Sequence, residues 1–390
     1  IWIKSPSELT DEDYKSFYKE LYPASMEEPL FWIHLNVDYP FNLTGILYFP
    51  KIKQDFTAPK EKIQLYSRQV FITDEVKDIV PEFLTLLHGV IDSPDIPLNV
   101  SRSYLQADTS VKRINSYITK KVADKIADMF KKDRTDFEAK WDKFGFFVKF
   151  GMVTEDKFYD KADKFFLFKN VDGKTFTIEE YLKHIEANQT DKNDTKVILY
   201  TNDVKKQHTF IQSAKKRGCD ILVFDTPLAS HLINRLESKL EKVSFKRIDA
   251  DIIDKLIEKE QSLEVALTEE QKTSVKELFD KTISRPNWTV NIEALASDDL
   301  PVTIMLPEFM RRMKEMSALN GMDMGMMPES YNVIVNGNHP IIQKIAEGKD
   351  EAAQTTIIKQ TFDLALLSQG MLEGELLTDF IERSLSFVGK

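Results

Sequence analysis

From Lys196 onward the chain alternates short β-branched runs with helical stretches, and that order leaves few folds open. Val197–Tyr200, Ile221–Phe224 and Val243–Ile248 are strand-like, while His208–Lys216 and Ala229–Lys242 between them carry helical spacing. Strands separated by helices of this length pair in parallel, so the segment predicts a small parallel sheet with right-handed crossovers. Sheets of this kind bind nucleotides through a glycine-rich first turn. Here that turn reads Thr201-Asn-Asp-Val-Lys-Lys206 and holds no glycine, so the unit reads as structural.

The remaining length frames this unit. A chain of 390 residues allows two to three domains, each able to bury its own core. The polar passage Lys255–Lys272 is the candidate linker, which divides the chain into 1–255 and 256–390. Upstream, Thr10-Asp-Glu-Asp13 has the form of a capping box before a helix bearing Tyr14, Phe17, Tyr18 and Leu21. Residues 30–50 hold two aromatic-rich strands, Ile63–Tyr66 and Gln69–Ile72 read as further strands, and Phe83–Val90 reads as helix. Downstream, a helix is expected near Glu269–Lys281, strands near Trp288–Ile292 and Pro301–Met305, and helices over Ala353–Ser368 and Leu376–Val388.

Composition excludes several function classes. A net charge of −10 counts against a nucleic-acid partner. No apolar run approaches the roughly 18–20 residues that cross a bilayer, and no signal-peptide pattern opens the chain, so no membrane partner is expected. The lone cysteine, Cys219, cannot close an internal disulfide, which points to a reducing, cytoplasmic setting. Six scattered histidines show no metal-ligand spacing, and no G-x-S-x-G elbow or phosphate-cradling glycine loop is present. No metal site and no cofactor bound by this chain alone are expected.

One segment breaks a local rule. In Asp95-Ile-Pro-Leu-Asn-Val-Ser-Arg-Ser-Tyr-Leu-Gln106 the proline favours extended chain, and Asn99 or Ser101 is a good N-cap for the long helix that follows, which shows Ile118, Val122, Ile126 and Phe130 on one face. Arg102 then falls in the first helical turn, where the helix dipole disfavours a cation by roughly 0.3–1 kcal/mol. A cation held there is suited to meet an anion; the plain alternative is an exposed arginine at an ordinary helix start.

Two apolar patterns stand out further on. Eight of the twelve methionines lie between Met305 and Met327, and Phe309, Met313 and Met316 fall on one helical face, with Met310 beside them. Flexible, polarizable methionines suit a surface that packs against many shapes, although such a stripe also fits an ordinary core. In the tail, Ile358, Phe362, Ala365 and Leu366 form one stripe and Ile357, Leu364 and Leu367 a second, so the helix needs two partners. Leu377, Phe380, Ile381, Leu385 and Val388 give a single-faced helix after the turn, and two copies of the hairpin would complete a four-helix bundle.

The run GVIDSPDIPLNVSRSYLQ (89–106) resembles the catalytic-loop segment of the ninety-kilodalton heat-shock chaperone family, in its bacterial form. IWIKSPSELT (1–10) resembles the opening of that family's middle domain, IQLYSRQVFITDEVKDIVPEF (63–83) the strand and helix before the loop, and NHPII (338–342) and LALLSQG (364–370) two landmarks of its C-terminal domain. The resemblance spans nearly the whole chain and is weakest between about 150 and 300.

It implies a multi-domain fold of α/β and α+β class. A middle domain would hold a larger αβ unit, a helical connector and the small parallel α/β unit, and an α+β C-terminal domain would carry dimerisation. An N-terminal ATP-binding domain is expected upstream, so this chain alone is expected to hydrolyse no ATP. Arg102 matches the family's arginine that reaches the γ-phosphate of Mg-bound ATP, with Asn99 and Gln106 as polar companions and Arg68 and Phe71 as loop supports. Phe309, Met310, Met313 and Met316 match the helix that contacts unfolded or partly folded client proteins. Ile358, Phe362, Leu366, Leu377, Phe380, Ile381 and Leu385 match the homodimer interface. A stress-response role with co-chaperone partners follows from the same resemblance; the rival readings are a dimeric adaptor that uses no nucleotide and a stand-alone α/β enzyme built on the 196–248 unit.

Overall fold

The computed structural model describes residues 1–51, 62–76, 80–96, 109–259, 263–307, 310 and 330–388. They form two compact units, one of 1–169, 173–181 and 226–240, the other of 170–172, 182–225 and 241–390. This grouping places the small parallel sheet with the C-terminal residues.

In the first unit, helix α1 (Asp11–Leu21) starts at a true capping box: Thr10 accepts the Asp13 amide, and the Asp13 carboxylate accepts the Thr10 amide. Its inner face buries Tyr14, Phe17 and Tyr18. Strands β1 (Phe31–Val37), β2 (Leu43–Phe49), β3 (Ile63–Ser67), β4 (Val70–Thr73) and β5 (His88–Asp92) form one sheet in the order β1-β2-β5-β3-β4. Strand β5 is the innermost, antiparallel to β2 and parallel to β3, and all five of its residues are buried. The helix expected over Phe83–Val90 is instead a 3-10 turn, Glu82–Leu86, followed by β5. Backbone pairing on both sides of β5 outweighs the local helical spacing of the leucines.

Helix α2 (Thr109–Lys132) buries Ile114, Ile118, Val122 and Ile126, the face read from its spacing; Phe130 is only half-buried. Helix α3 (Arg134–Thr154) is apolar on more than one side and therefore needs partners on more than one side. Its Phe147 ring lies 4.9 Å from Phe49 in the sheet and 5.1 Å from Phe83. Helix α4 (Asp156–Ala162) adds Phe158, and a short hairpin, β6 (Phe168–Lys169) and β7 (Thr175–Phe176), follows. Helix α5 (Ile178–Ile185) comes next.

The second unit begins with β8 (Lys196–Thr201), α6 (His208–Lys216) and β9 (Ile221–Val223). Helix α7 (Ala229–Lys239) belongs to the first unit, where it packs on α3. Strand β10 (Val243–Arg247) completes a fully parallel sheet in the order β10-β8-β9, as the alternation predicts. Helix α8 (Ile253–Leu256) follows, and Leu256, Ile257 and Leu267 are buried, so the passage read as a linker is partly anchored.

A second capping box, Thr268 with Gln271, starts α9 (Glu269–Ile283). Strands β11 (Trp288–Glu293), β12 (Val302–Met305) and β13 (Tyr331–Asn336) pair in the order β11-β13-β12. The central strand β13 has no counterpart in the sequence reading. Helices α10 (Pro340–Glu347), α11 (Glu351–Ser368) and α12 (Gly374–Val388) complete the unit. Phe279, Val290, Ile304, Val333, Ile342, Ile358 and Leu366 form one apolar core between the sheet and these helices. The mixed α/β and α+β class is as expected, and among the described residues no helix is long and apolar enough to cross a membrane.

Candidate functional site

Asp92 at the end of β5, the strand with neighbours on both sides, and residues 93–96 after it are fixed by hydrogen bonds with Trp2, Asn42, Tyr66 and Gln69. Asp92 is 5% exposed, and its Oδ2 accepts the Gln69 amide at 2.9 Å and the Trp2 indole N–H at 3.1 Å. The fully buried Ser93 donates its amide to the Tyr66 carbonyl at 3.1 Å and its hydroxyl to the Asn42 carbonyl at 2.6 Å. The same hydroxyl oxygen accepts the Asp95 amide at 3.2 Å, and Asp95 Oδ2 accepts the Asn42 amide at 2.7 Å. Ile96 is then buried. Asn99, Arg102 and Gln106 themselves lie outside the described residues.

Beneath this base a tyrosine–histidine layer supports β5. The Tyr18 hydroxyl meets His88 Nδ1 at 2.9 Å, and the Tyr14 hydroxyl meets His34 Nδ1 at the same distance. Burial holds the His34 imidazole below its ordinary pKa, which favours the neutral ring. Tyr48 donates to the Tyr14 carbonyl at 2.7 Å, and burial raises its phenol well above the usual range.

Of the two residues read as loop supports, Arg68 is not in a strand. Arg68 and Gln69 are the two central residues of the β3–β4 turn, at φ 50° and 65°, the left-handed geometry that a two-residue hairpin requires. The Arg68 side chain is exposed there. Phe71 is 53% exposed, and its ring stands 5.7 Å edge-on from Tyr66, whose carbonyl holds Ser93. Through Tyr66, Phe71 is one ring contact away from the Ser93 anchor. Trp2 and Asp92 carry no assigned role in the sequence reading, although both fall inside motifs quoted for the resemblance; a tryptophan followed 90 positions later by a lone acid offers no spacing signal.

In the methionine-rich region Met305 is buried at the end of β12, and Met310 is half-buried. Phe309, Met313 and Met316 lie outside the described residues. The tail is described almost throughout, and it distinguishes the two stripes by burial within the chain. Ile358, Phe362 and Leu366 point into the core of their own unit, with Phe380 also buried and Leu377 packed against the same core. The second stripe of α11, Leu364 and Leu367, is exposed, together with Leu376, Ile381 and Leu385 of α12. Both stripes need cover, and the sheet of the same chain supplies it to the first. Helices α11 and α12 are locked by Arg383, which donates to Gln360 at 2.8 Å and pairs with Asp363, and by Gln360 donating to Ser384 at 2.9 Å.

The sequence matches the Hsp90 protein family over residues 1–386, and the chain belongs to that family. The chaperone protein HtpG of Porphyromonas gingivalis is 50% identical over 371 residues, covering 94% of this chain and 54% of the relative. The chaperone protein of the same name from Bacteroides fragilis is 42% identical over 457 residues, with 100% of this chain and 67% of the relative covered. An endoplasmin homolog of Arabidopsis thaliana is 26% identical over 427 residues, covering 97% of this chain and 50% of the relative. The chain thus spans about half the length of the Porphyromonas relative.

Proposed function

We propose that this chain is the loop-bearing and dimerising part of an ATP-dependent molecular chaperone. The observation that carries the reading is the hydrogen-bonded base at Asp92, Ser93 and Asp95, because a loop on a rigid stem can place a side chain reproducibly. Arg102 would meet the terminal phosphate of a nucleotide held by a domain upstream, and Asn99 and Gln106 would orient it. The donor set fits phosphate: one permanent cation with a planar fork and two carboxamides. It offers no carboxylate, so a magnesium ion would take its protein ligands elsewhere. Bound ATP supplies the phosphoanhydride that is cleaved. The guanidinium stabilises negative charge that builds on the phosphoryl oxygens.

Client proteins would bind through Phe309, Met310, Met313 and Met316. Homodimerisation would use the exposed leucines of α11 and α12, and the buried Cys219, with its thiol pushed up to about 11 by burial, fits a cytoplasmic protein that makes no disulfide. The test is the ATPase rate of a polypeptide lengthened upstream to match the Porphyromonas relative. Arg102→Ala is expected to lower kcat by about a hundredfold or more, the scale of a lost charge-stabilising donor. An unchanged rate would favour a dimeric adaptor that uses no nucleotide.

A further inference from the structure

Two Asn-Gly steps occur in the chain, Asn320-Gly321 and Asn336-Gly337, and the second falls within the described residues. Such a step is chemically labile, because glycine has no Cβ to hinder attack of its backbone nitrogen on the preceding carboxamide. Packing favours the glycine here: a Cβ at Gly337 would fall 2.6 Å from the Val265 side chain. The reaction needs a free nucleophile, a free leaving group and room for the backbone to turn. The fold withholds all three. The Gly337 amide donates to the Glu293 carbonyl at 2.9 Å, and Asn336 Nδ2 donates to the Ala296 carbonyl at 2.8 Å. Asn336 is fully buried, its own amide donates to the Pro301 carbonyl at 2.9 Å, and its Oδ1 accepts the Asn338 amide at 3.0 Å.

The three accepting carbonyls lie on one stretch, 293–301, which leads from β11 to β12. That stretch is held in turn at two points. The Leu295 carbonyl accepts Asn338 Nδ2 at 3.1 Å, and the Asp299 carboxylate takes Arg217 at 2.6 Å and the Ser213 hydroxyl at 3.3 Å. Lifting 293–301 therefore frees the nucleophile and the leaving group together.

We propose that Asn336-Gly337 is a latent modification site, shut in the folded chain and converted to aspartate and isoaspartate when heat lifts the 293–301 connection. The Gly337 nitrogen bonds to the side-chain carbonyl carbon of Asn336, the bond from that carbon to Nδ2 breaks, and ammonia leaves with the Gly337 amide proton. Water then opens the cyclic imide at either carbonyl, so an amide is exchanged for a carboxylate and no oxidant or reductant is needed. The product sets a carboxylate against the Ala296 carbonyl at a fully buried position, which is costly without a partner. Isoaspartate also lengthens the backbone of β13, the middle strand, out of the regular strand repeat. Both products oppose reclosure, so conversion marks a chain that has opened.

The test compares the full chain with a synthetic peptide of residues 330–347 in mildly alkaline buffer. Digestion after glutamate places Asn336 in a fragment apart from Asn320, and the mass of that fragment reports conversion. Well below the unfolding midpoint, the chain is expected to convert about a hundredfold or more slowly than the peptide, because the rate follows the population of the opened form. Just below the midpoint it should climb toward the peptide's rate. Equal rates in the cold refute the guard, and a heated chain that stays unconverted while the peptide reacts refutes the opening. Arg217→Lys, which keeps a charge but loosens the hold on Asp299, should speed conversion about fivefold at the lower temperature. An unchanged rate in that variant overturns the gating by 293–301. Ion exchange separates converted chains by their added negative charge, and these should melt below the unconverted ones; equal melting refutes the barrier to reclosure.

Discussion

The Tyr22 hydroxyl accepts a hydrogen bond from the Gly89 amide at 2.7 Å and donates one to the Lys62 carbonyl at 2.7 Å, so one side chain of α1's cap clamps the central strand to β3's leading edge. Gly89 cannot escape this arrangement. It sits at φ +129°, and a Cβ there would fall 2.0 Å from the Ile46 carbonyl oxygen. Tyr22→Phe leaves a buried amide unpaired, a cost of about 1–3 kcal/mol in urea unfolding. Gly89→Ala should cost more than Tyr22→Phe, because β5 must also withdraw from β2.

What the sequence discloses follows from how local each signal is. The capping box at Thr10 and the helix His208–Lys216 are legible because their determinants lie within one turn or one face. Strand β13 escapes because its apolar core, Val333-Ile-Val335, is only three residues long between asparagines, and its strand character comes from pairing with β11 on one side and β12 on the other. The two stripes of α11 are both visible in the sequence. Which of them faces the sheet depends on elements far away in the chain, and no periodicity encodes it. Asp92 is hidden for the same reason: its donors are a backbone amide and a side chain 90 residues away.

Arg217, at the end of α6, is set between two carboxylates. Its guanidinium meets Asp299 at 2.6 and 3.2 Å and Asp254 at 3.1 and 3.3 Å. Burial opposes the charge, but the bonds to Asp299 and Asp254 outweigh it and raise the guanidinium above its ordinary range. The Asp299 side chain is only 9% exposed, whereas that of Asp254 is 43% exposed and adds little. Arg217→Met strands the Asp299 charge and should cost about 2–4 kcal/mol in chemical unfolding. Arg217→Lys should recover part of this, since a point charge cannot reach both carboxylates with a planar fork.

Two histidines make stability depend on pH. His34 and His339 both lie below the ordinary value of 6.5 because burial penalises their charged forms, and neutral His339 Nδ1 accepts the Ile341 amide to cap α10 at 3.1 Å. The unfolded chain binds the proton more readily than the folded one, so the contribution is complete above about pH 6.5 and is lost as pH falls toward the lowered folded values. Unfolding free energies at about pH 7.5 and 5.5 should show wild type losing more on acidification than His339→Asn, which keeps a capping oxygen that does not titrate.

The outward stripe predicts the assembly. Leu385 is 65% exposed and Ile381 48%, while Ile358 in the opposite stripe is fully buried. If a second copy covers Leu364, Leu367, Ile381 and Leu385, then Leu385→Asp places a charge in an apolar contact between chains without touching the core. Sedimentation over a range of concentrations should show its dimer dissociation constant raised by about thirtyfold or more, the effect of losing an interface hot spot. Its unfolding as a monomer should stay within about 0.5 kcal/mol of the parent, as for other surface changes. Ile358→Ala should do the reverse: a cost of about 2–5 kcal/mol in folding from the cavity it leaves, with association weakened only as far as the unit itself loosens. A Leu385→Asp chain that still dimerises at the parental concentration would place the contact on another face.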